Sequence, residues 1–417
     1  MKGLLVVSFL VLGLLSVVPG SAFAQAQDEA SPPPQSTKMS GWDDGFWVRS
    51  PDDQFKLKIG GRVQFQEAME ARQGLAKVRS TTNPTVFTPP DKFNDTFFVR
   101  RANLETSGTI FEKIDWSTVL NTRSGAPGAA TQQINFFADF TVNILPTFRI
   151  VGGTVSLPLD MLGEDSSKWY LGVEPPLVAT QEDGIANLTI ARQSFGTSPD
   201  LGIRVEGDVG SRVSYALGAT NGSGFRAQNA NDKLSYGGRV QVNILDAIGG
   251  KQTDFEWSQS PKLSLSAGSA WEDGENAPDT FVPAIIHKWA WTSSTGGAFR
   301  YHGLSLNSEF YIRYSRILGV TSQDTNGDGK LRDFGYYADA GYYLIPHKLE
   351  AMLTASQIRR EGPDNDANEF GGGVNWYLYG NHSKLQFDYT NVLDYDAVPG
   401  LNNATYQRFR LMFSVIL

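Results

Sequence analysis

Lys56, Lys58 and Arg62 occupy even positions of the run Phe55-Lys56-Leu57-Lys58-Ile59-Gly60-Gly61-Arg62-Val63-Gln64-Phe65-Gln66, in which every odd position is apolar or glycine. Near the other end of the chain Arg408 and Arg410 alternate in the same way with Phe409, Leu411, Phe413, Val415 and Leu417. Successive side chains of an extended chain point to opposite faces, so each run gathers its cations on one face and its apolar groups on the other. Fixed cations along a narrow, low-dielectric passage lower the barrier for anions, and rings of Arg or Lys are the usual device of anion pores. The competing reading is that such arginines pair with acids of neighbouring strands and only brace the wall.

The elements that must position these cations are strands. The period of two recurs to the C-terminus, in segments of about ten residues separated alternately by short and long connections, which is the pattern of an antiparallel up-and-down transmembrane β-barrel. Strands are expected near 54–67, 95–109, 114–123, 132–142, 148–157, 200–208, 212–220, 234–244, 262–271, 284–293, 299–316, 333–345, 348–360, 369–379, 384–392 and 405–417. An even number puts both ends of the barrel on one side. Ile144-Leu145-Pro146-Thr147 and Gly380-Asn381-His382-Ser383 then read as short periplasmic turns, and 68–93, 159–184, 221–233 and 317–332 as long external loops. Closure makes the first and last strands neighbours, so Lys56, Lys58, Arg62, Arg408 and Arg410 are expected to share one wall, opposed by Asp388.

With apolar residues toward lipid, the lumen receives the basic set Lys56, Lys58, Arg62, Arg101, Arg149, Arg204, Arg212, Arg239, Arg313, Lys348, Arg408 and Arg410. The inward acids are Glu105, Asp115, Asp139, Glu206, Glu309, Asp339, Glu350 and Asp388. The wall thus leans cationic within a chain of net charge -8. The connection near 159–184, expected to fold toward the pore, leans the other way: Asp160, Glu164, Asp165, Glu174, Glu182 and Asp183 stand against Lys168 alone. An acidic loop opposite a basic wall sets up a transverse field that favours dipolar solutes.

The N-terminus supplies an address. Lys2, the apolar run from Leu4 to Val18, Pro19-Gly20 and Ala22-Phe23-Ala24 predict a secretory signal over 1–24, cut after Ala24. The polar stretch 25–53, with Pro32-Pro33-Pro34, is expected to be a flexible periplasmic lead, and 54–417 the barrel. No cysteine is present, so an exported chain carries no disulfide framework. No later segment approaches the eighteen or so apolar residues of a membrane helix, while 43 Gly, 15 Tyr, 25 Phe and 9 Trp suit tight turns and aromatic girdles. The acidic balance argues against nucleic acid as a partner.

Asp324-Thr325-Asn326-Gly327-Asp328-Gly329 resembles the first half of a calcium loop, with oxygen ligands at alternate positions. The twelfth position is Gly335 rather than a bidentate Glu, so a solvated Asp/Gly turn stands beside calcium binding at Asp324, Asn326 and Asp328. His287, His302, His347 and His382 show no metal spacing, and His382-Ser383 falls in a turn without oxyanion support, so no catalytic residues are expected.

Several short blocks resemble the phosphate-selective porin O and P family, collinearly over nearly all of the chain beyond the signal. They are Gly45-Phe46-Trp47-Val48-Arg49-Ser50 through Lys56-Leu57-Lys58-Ile59-Gly60-Gly61, then Pro199-Asp200-Leu201-Gly202-Ile203 with Tyr215-Ala216-Leu217-Gly218, and Gly303-Leu304-Ser305-Leu306. Gly341-Tyr342-Tyr343-Leu344 and Gly373-Val374-Asn375-Trp376-Tyr377-Leu378 complete the set. The resemblance implies a sixteen-stranded barrel, a homotrimer in outer-membrane lipid and lipopolysaccharide, a third loop folded into the pore, and passage of small solutes with an anion preference. Phosphate is the anion the resemblance points to, and the departure from the family falls at that point: its lysine before the third loop is missing from Thr154-Val155-Ser156-Leu157-Pro158-Leu159. A non-selective porin and a closed barrel with a binding or adhesive role remain as alternatives.

Overall fold

In the computed structural model the described residues are 38–73, 77–78, 86–87, 92–124, 132–178, 195–197, 199–222, 229, 233–249, 251–273, 286–318, 327–359, 361, 367–395 and 404–417. Sixteen long strands follow one another: β1 Phe55–Gln73, β2 Lys92–Ile110, β3 Ile114–Ser124, β4 Gln132–Leu145, β5 Phe148–Ser156, β6 Pro199–Val209, β7 Val213–Thr220 and β8 Ser235–Asn243. The series continues with β9 Lys262–Glu272, β10 Ile286–Tyr301, β11 Leu304–Leu318, β12 Lys330–Ile345, β13 Leu349–Arg359, β14 Ala367–Tyr379, β15 Ser383–Tyr395 and β16 Ala404–Ile416. Each pairs antiparallel with the next, and β16 pairs with β1, which closes the barrel and leaves no open edge among these strands.

The alternation sorts the two faces. Phe97, Leu104, Phe136, Ile203, Leu217 and Leu353 point outward and are each more than half exposed, whereas Gln64, Ser305, Glu350, Asn375 and Ser414 are almost wholly buried inside. A water-soluble sandwich of the same period would bury the first set and expose the second, so the inverted burial is decisive. Aromatic pairs gather at the long-loop end, Trp271 on Trp289 at 5.0 Å and Trp291 on Tyr314 at 5.6 Å between ring centroids. Tyr301, Tyr342, Trp376 and Tyr379 stand exposed near the short-turn end.

Three features depart from expectation. The tenth strand runs to Tyr301, not 293, because His302 and Gly303 adopt positive φ of 46° and 80° and form a tight hairpin turn that the sequence reading placed earlier. Residues 38–53, expected within a flexible lead, carry two short strands, Ser40–Trp42 and Phe46–Arg49. The second of these pairs with Phe55–Ile59 territory of β1, Phe46 opposite Ile59 and Arg49 opposite Lys56, and so covers an edge that lies beyond the end of β16. Finally, the connection between β8 and β9, described at 244–249 and 251–261, sits at the short-turn end but is long, and its Gln252 and Asp254 bond to the crossing loop and to the inner-wall residue Ser305.

Candidate functional site

The register at closure divides the cations that the sequence groups together. Arg62 lies opposite Ile416, Arg410 opposite Ala68 and Arg408 opposite Glu70. At about 3.3 Å per residue, Arg410 is therefore some six residues, or about 20 Å, up the strand from Arg62. Lys58 pairs with Trp47 of the N-terminal hairpin, below the end of β16. The expected five-cation cluster is replaced by two arginines high in the barrel, one in the middle and two lysines at the short-turn mouth.

What the high arginines touch explains their place. After β5 the chain bends inward at Leu157-Pro158-Leu159 and presses on the inner wall where β8 and β9 carry glycine. A Cβ at Gly237 would fall 3.1 Å from Leu157 Cβ, and one at Gly268 would fall 2.0 Å from the Leu159 carbonyl oxygen. Only a missing side chain lets two backbones approach so closely. Asp160 then caps the single helical turn α1, Met161–Glu164, accepting from Gly163 N at 3.1 Å. The Glu309 carboxylate on β11 accepts the next two backbone N–H groups, Met161 at 2.8 Å and Leu162 at 3.2 Å, while the Tyr311 hydroxyl donates to Asp160 at 2.9 Å. Burial, reinforced by the neighbouring Glu309, pushes the Asp160 carboxyl up to about 7, and burial likewise raises Asp165 to about 6.

From there the loop crosses the barrel. Glu164 forms a bidentate pair with Arg204 on β6 at 2.7 and 2.9 Å, Ser167 accepts from Arg62 at 2.8 Å, and Lys168 pairs with Glu105 on β2. Glu174 reaches Arg100 and Arg101 together. Burial alone would raise the Glu174 carboxyl, but the two guanidinium groups outweigh it and hold it well below the usual carboxylate range. The loop backbone ends on carboxylates of the far wall: Val173 N donates to Asp388 at 2.9 Å and Leu177 N to Glu369 at 2.7 Å. Those carboxylates in turn hold Arg410 and Arg408. The closure arginines therefore fix the acids that fix the loop. Leu162, Leu177, Val178 and Phe195 pack with Tyr311, Tyr337 and Ile358 into a small core inside the barrel.

A second inward segment rises from the short-turn end. In residues 244–261, Gln252 accepts from Leu171 N at 2.9 Å and donates to Asp165 at 3.2 Å, so it joins this segment to the loop above. Phe255 inserts among Tyr377, His347 and Tyr343, with centroids 5.3 to 6.1 Å away. Asp254 accepts from Gly303 N and from both donors of Ser258. Lys251 lies over the Trp169 ring at 5.1 Å. Together, loop and rising segment contact the inner faces of β8, β9, β11, β14 and β15, and the loop also reaches β1, β2 and β6.

Space remains beside β1 to β4. Two adjoining cavities of about 310 and 300 Å³ share Lys58 and Ser107 and form a lane: the first lies on the inner faces of β1 to β4 with Lys56 at the mouth, and the second runs on to the Glu105–Lys168 contact under the loop, bounded also by Asp44, His382 and the C-terminal Ile416 and Leu417. Of the remaining expected residues, Arg149 pairs with Asp208 and Glu206, Arg239 bonds Gln241 and Ser266, and Arg313 bonds Thr292 and lies over Phe195. Arg212, expected in the wall, sits in the turn before β7 and donates to the carbonyls of 243–245; Lys348 is likewise in a turn. Asp324 and Asn326 lie outside the described residues, as do 179–184 of the third loop. Asp328 is exposed and accepts from Lys330 N at 3.0 Å.

Arg100 escaped the sequence reading. A bulge pairs Gln64 with Arg101 and Phe65 with Val99, so Arg100 is the extra residue and both arginines turn inward. The signal is a phase change: apolar residues occupy odd positions through Phe93, Phe97 and Val99 and even positions from Ala102 and Leu104 onward.

No family model matches the chain, and no curated protein matches it in sequence. The short motifs of the phosphate-selective porin family therefore find no support at family level. Solved structures do match. The anion-selective porin from Comamonas acidovorans is 11% identical, with 86% of this chain and 99% of that one covered and a TM-score of 0.54. The outer-membrane channel DcaP of Acinetobacter baumannii is 10% identical, with 89% and 99% covered and a TM-score of 0.53. OmpT of Vibrio cholerae, in its trimer form, is 10% identical, with 88% and 100% covered and a TM-score of 0.50. At these identities the likeness shows the fold, a closed sixteen-stranded antiparallel barrel of the porin type.

Proposed function

We propose that this chain is an outer-membrane porin of a Gram-negative bacterium, exported behind the signal at residues 1–24, through which small hydrophilic solutes diffuse passively. The observation that carries the reading is the partly filled lumen: the loop and the rising segment are held across it by ion pairs and hydrogen bonds, while two adjoining cavities lined by Lys, Ser, Thr and Asp side chains remain beside and beneath the loop. A barrel with only an adhesive or scaffolding role has no need of a loop held at both walls by ion pairs beside an open polar lane. The solved structures of similar fold are described as an anion-selective porin and an outer-membrane channel, which agrees with this reading.

A weak anion bias belongs to the same proposal, with a changed origin. Arg408, Arg410, Arg101 and Arg204 face carboxylates at contact distance. Lys56 and Lys58 have no acidic partner among the described residues and line the open lane at its mouth. Homotrimerisation in lipid and lipopolysaccharide is proposed on the barrel's exposed apolar belt and on the trimer form in which OmpT was solved. Single-channel recording in a salt gradient tests pore and bias at once. Stable conductance with a reversal potential displaced slightly toward anions is expected; a barrel that inserts without conducting overturns the porin reading.

A further inference from the structure

We infer that the open lane holds a binding strip for small zwitterions, molecules that carry an ammonium and a carboxylate a few bonds apart. The inference rests on the proposed passage and names the solute class that the passage would favour. Strand register supplies the geometry. One cross-strand row reads Lys56, Thr109, Asp115 and the next, two residues along, reads Lys58, Ser107, Ser117, Asp139. Strands lie about 4.8 Å apart, so about 10 Å of backbone separates Lys56 from Asp115, and the lysine and aspartate side chains shorten that gap to the length of a small bifunctional molecule.

The two poles are not spent on one another. Asp115 accepts from Thr109 at 2.7 Å and from Asn143 at 2.6 Å, and Asp139 accepts from Ser117 at 2.6 Å, all neutral donors. Lys56 and Lys58 have no acidic partner among the described residues, and these four are the charged side chains lining the cavity of about 310 Å³. Neutral Thr and Ser hydroxyls lie between the poles and offer further hydrogen bonds. A simple anion gains from the lysines but meets the aspartates; a simple cation meets the reverse. A zwitterion complements both poles, and discrimination of this kind arises from repulsion of the wrong ligand as much as from attraction of the right one.

The test uses the full-length protein and three probes of similar size: 4-aminobutyrate, butyrate and butylammonium. Binding is read in detergent solution from broadening of the probe's NMR lines, which requires no conductance, and in bilayers from partial block of single-channel current. The expected result is millimolar binding and block by 4-aminobutyrate, with butyrate and butylammonium weaker by roughly tenfold, the loss of one charge-assisted contact. Lys56→Gln with Lys58→Gln, and separately Asp115→Asn with Asp139→Asn, should each weaken 4-aminobutyrate by a similar factor, in protein whose heat-modifiable migration shows a folded barrel. Equal binding of butyrate and 4-aminobutyrate, or zwitterion binding unaffected in both folded variants, overturns the strip. If either variant fails to fold, the probe comparison on the unaltered protein still decides. Binding without conductance would overturn the passage and keep the site; conductance without binding would do the opposite.

Discussion

Arg410 grips both carboxylate oxygens of Asp388, at 2.7 and 2.9 Å, and one of those oxygens also receives the Val173 backbone N–H of the crossing loop. A wall cation is thus linked to the crossing loop through an acid. Arg410→Ala would leave Asp388 a buried carboxylate without its partner, a change that typically costs about 3–5 kcal/mol. The barrel's hydrogen-bonded wall is not broken by this, so the loss should fall on the loop. Arg410→Ala is expected to keep heat-modifiable migration, gain protease cleavage within 157–178 and show noisier current. A variant with wild-type current and an uncleaved loop refutes this linkage.

Selectivity should follow the mouth. Lys56→Glu with Lys58→Glu is expected to move the reversal potential toward cations, and the shift should fade as salt approaches molar, because fixed charge is screened over about 8 to 10 Å at physiological ionic strength. Arg62→Glu with Arg408→Glu should instead alter conductance and loop protection, since Arg62 holds Ser167 and Arg408 holds Glu369. If the arginine pair controls the reversal potential and the lysines do not, the wall arginines set selectivity after all.

Gln252 joins the rising segment to the loop through two hydrogen bonds, each worth about 1 kcal/mol net. Gln252→Ala with Phe255→Ala should loosen both inward elements and enlarge the lane, read as higher unit conductance and admission of larger uncharged sugars in liposome swelling. An unchanged exclusion limit would show that residues 244–261 do not confine the passage.

The loop's hold should weaken with rising pH. Asp160 has its carboxyl raised by burial and by Glu309 to about 7, against about 3.9 for an unperturbed aspartate. The sign follows from linkage: stability present below the unfolded value erodes as pH rises and is lost above the folded value. Glu174, held low by Arg100 and Arg101, contributes in the opposite sense, and its share is lost only in acid, below the ordinary carboxylate range. Between pH 5 and 8 the raised carboxyls of the loop therefore dominate, Asp160 at about 7 together with Asp165 at about 6. Protease cleavage of the loop is expected to increase across that interval, less steeply in Asp160→Asn and least in Asp160→Asn with Asp165→Asn; cleavage that falls with pH contradicts the assignment.

Much of this fold is legible in the sequence because its determinant is local. Alternation at Phe55–Gln66 and Phe409–Leu417 shows which side chains face out, since a period of two leaves only one phase that keeps the apolar set together. The same local evidence contained the bulge at Arg100, as a change of phase between Val99 and Ala102. His302-Gly303 likewise marked the hairpin after β10. What alternation cannot give is the height of one strand against a distant one. Arg62 and Arg410 stand on adjacent strands about six residues apart in height, a consequence of shear set when β16 closes on β1. Nor does local pattern say which inward groups meet across a lumen, because Glu174 with Arg100 and Arg101, Asp388 with Val173, and Gln252 with Leu171 are joined by the path of two connections through three-dimensional space. The sequence by itself determined that the wall is polar within and apolar without; only the tertiary structure decided which of its charges are consumed in holding the loop and which, at Lys56, Lys58, Asp115 and Asp139, line a cavity beside it.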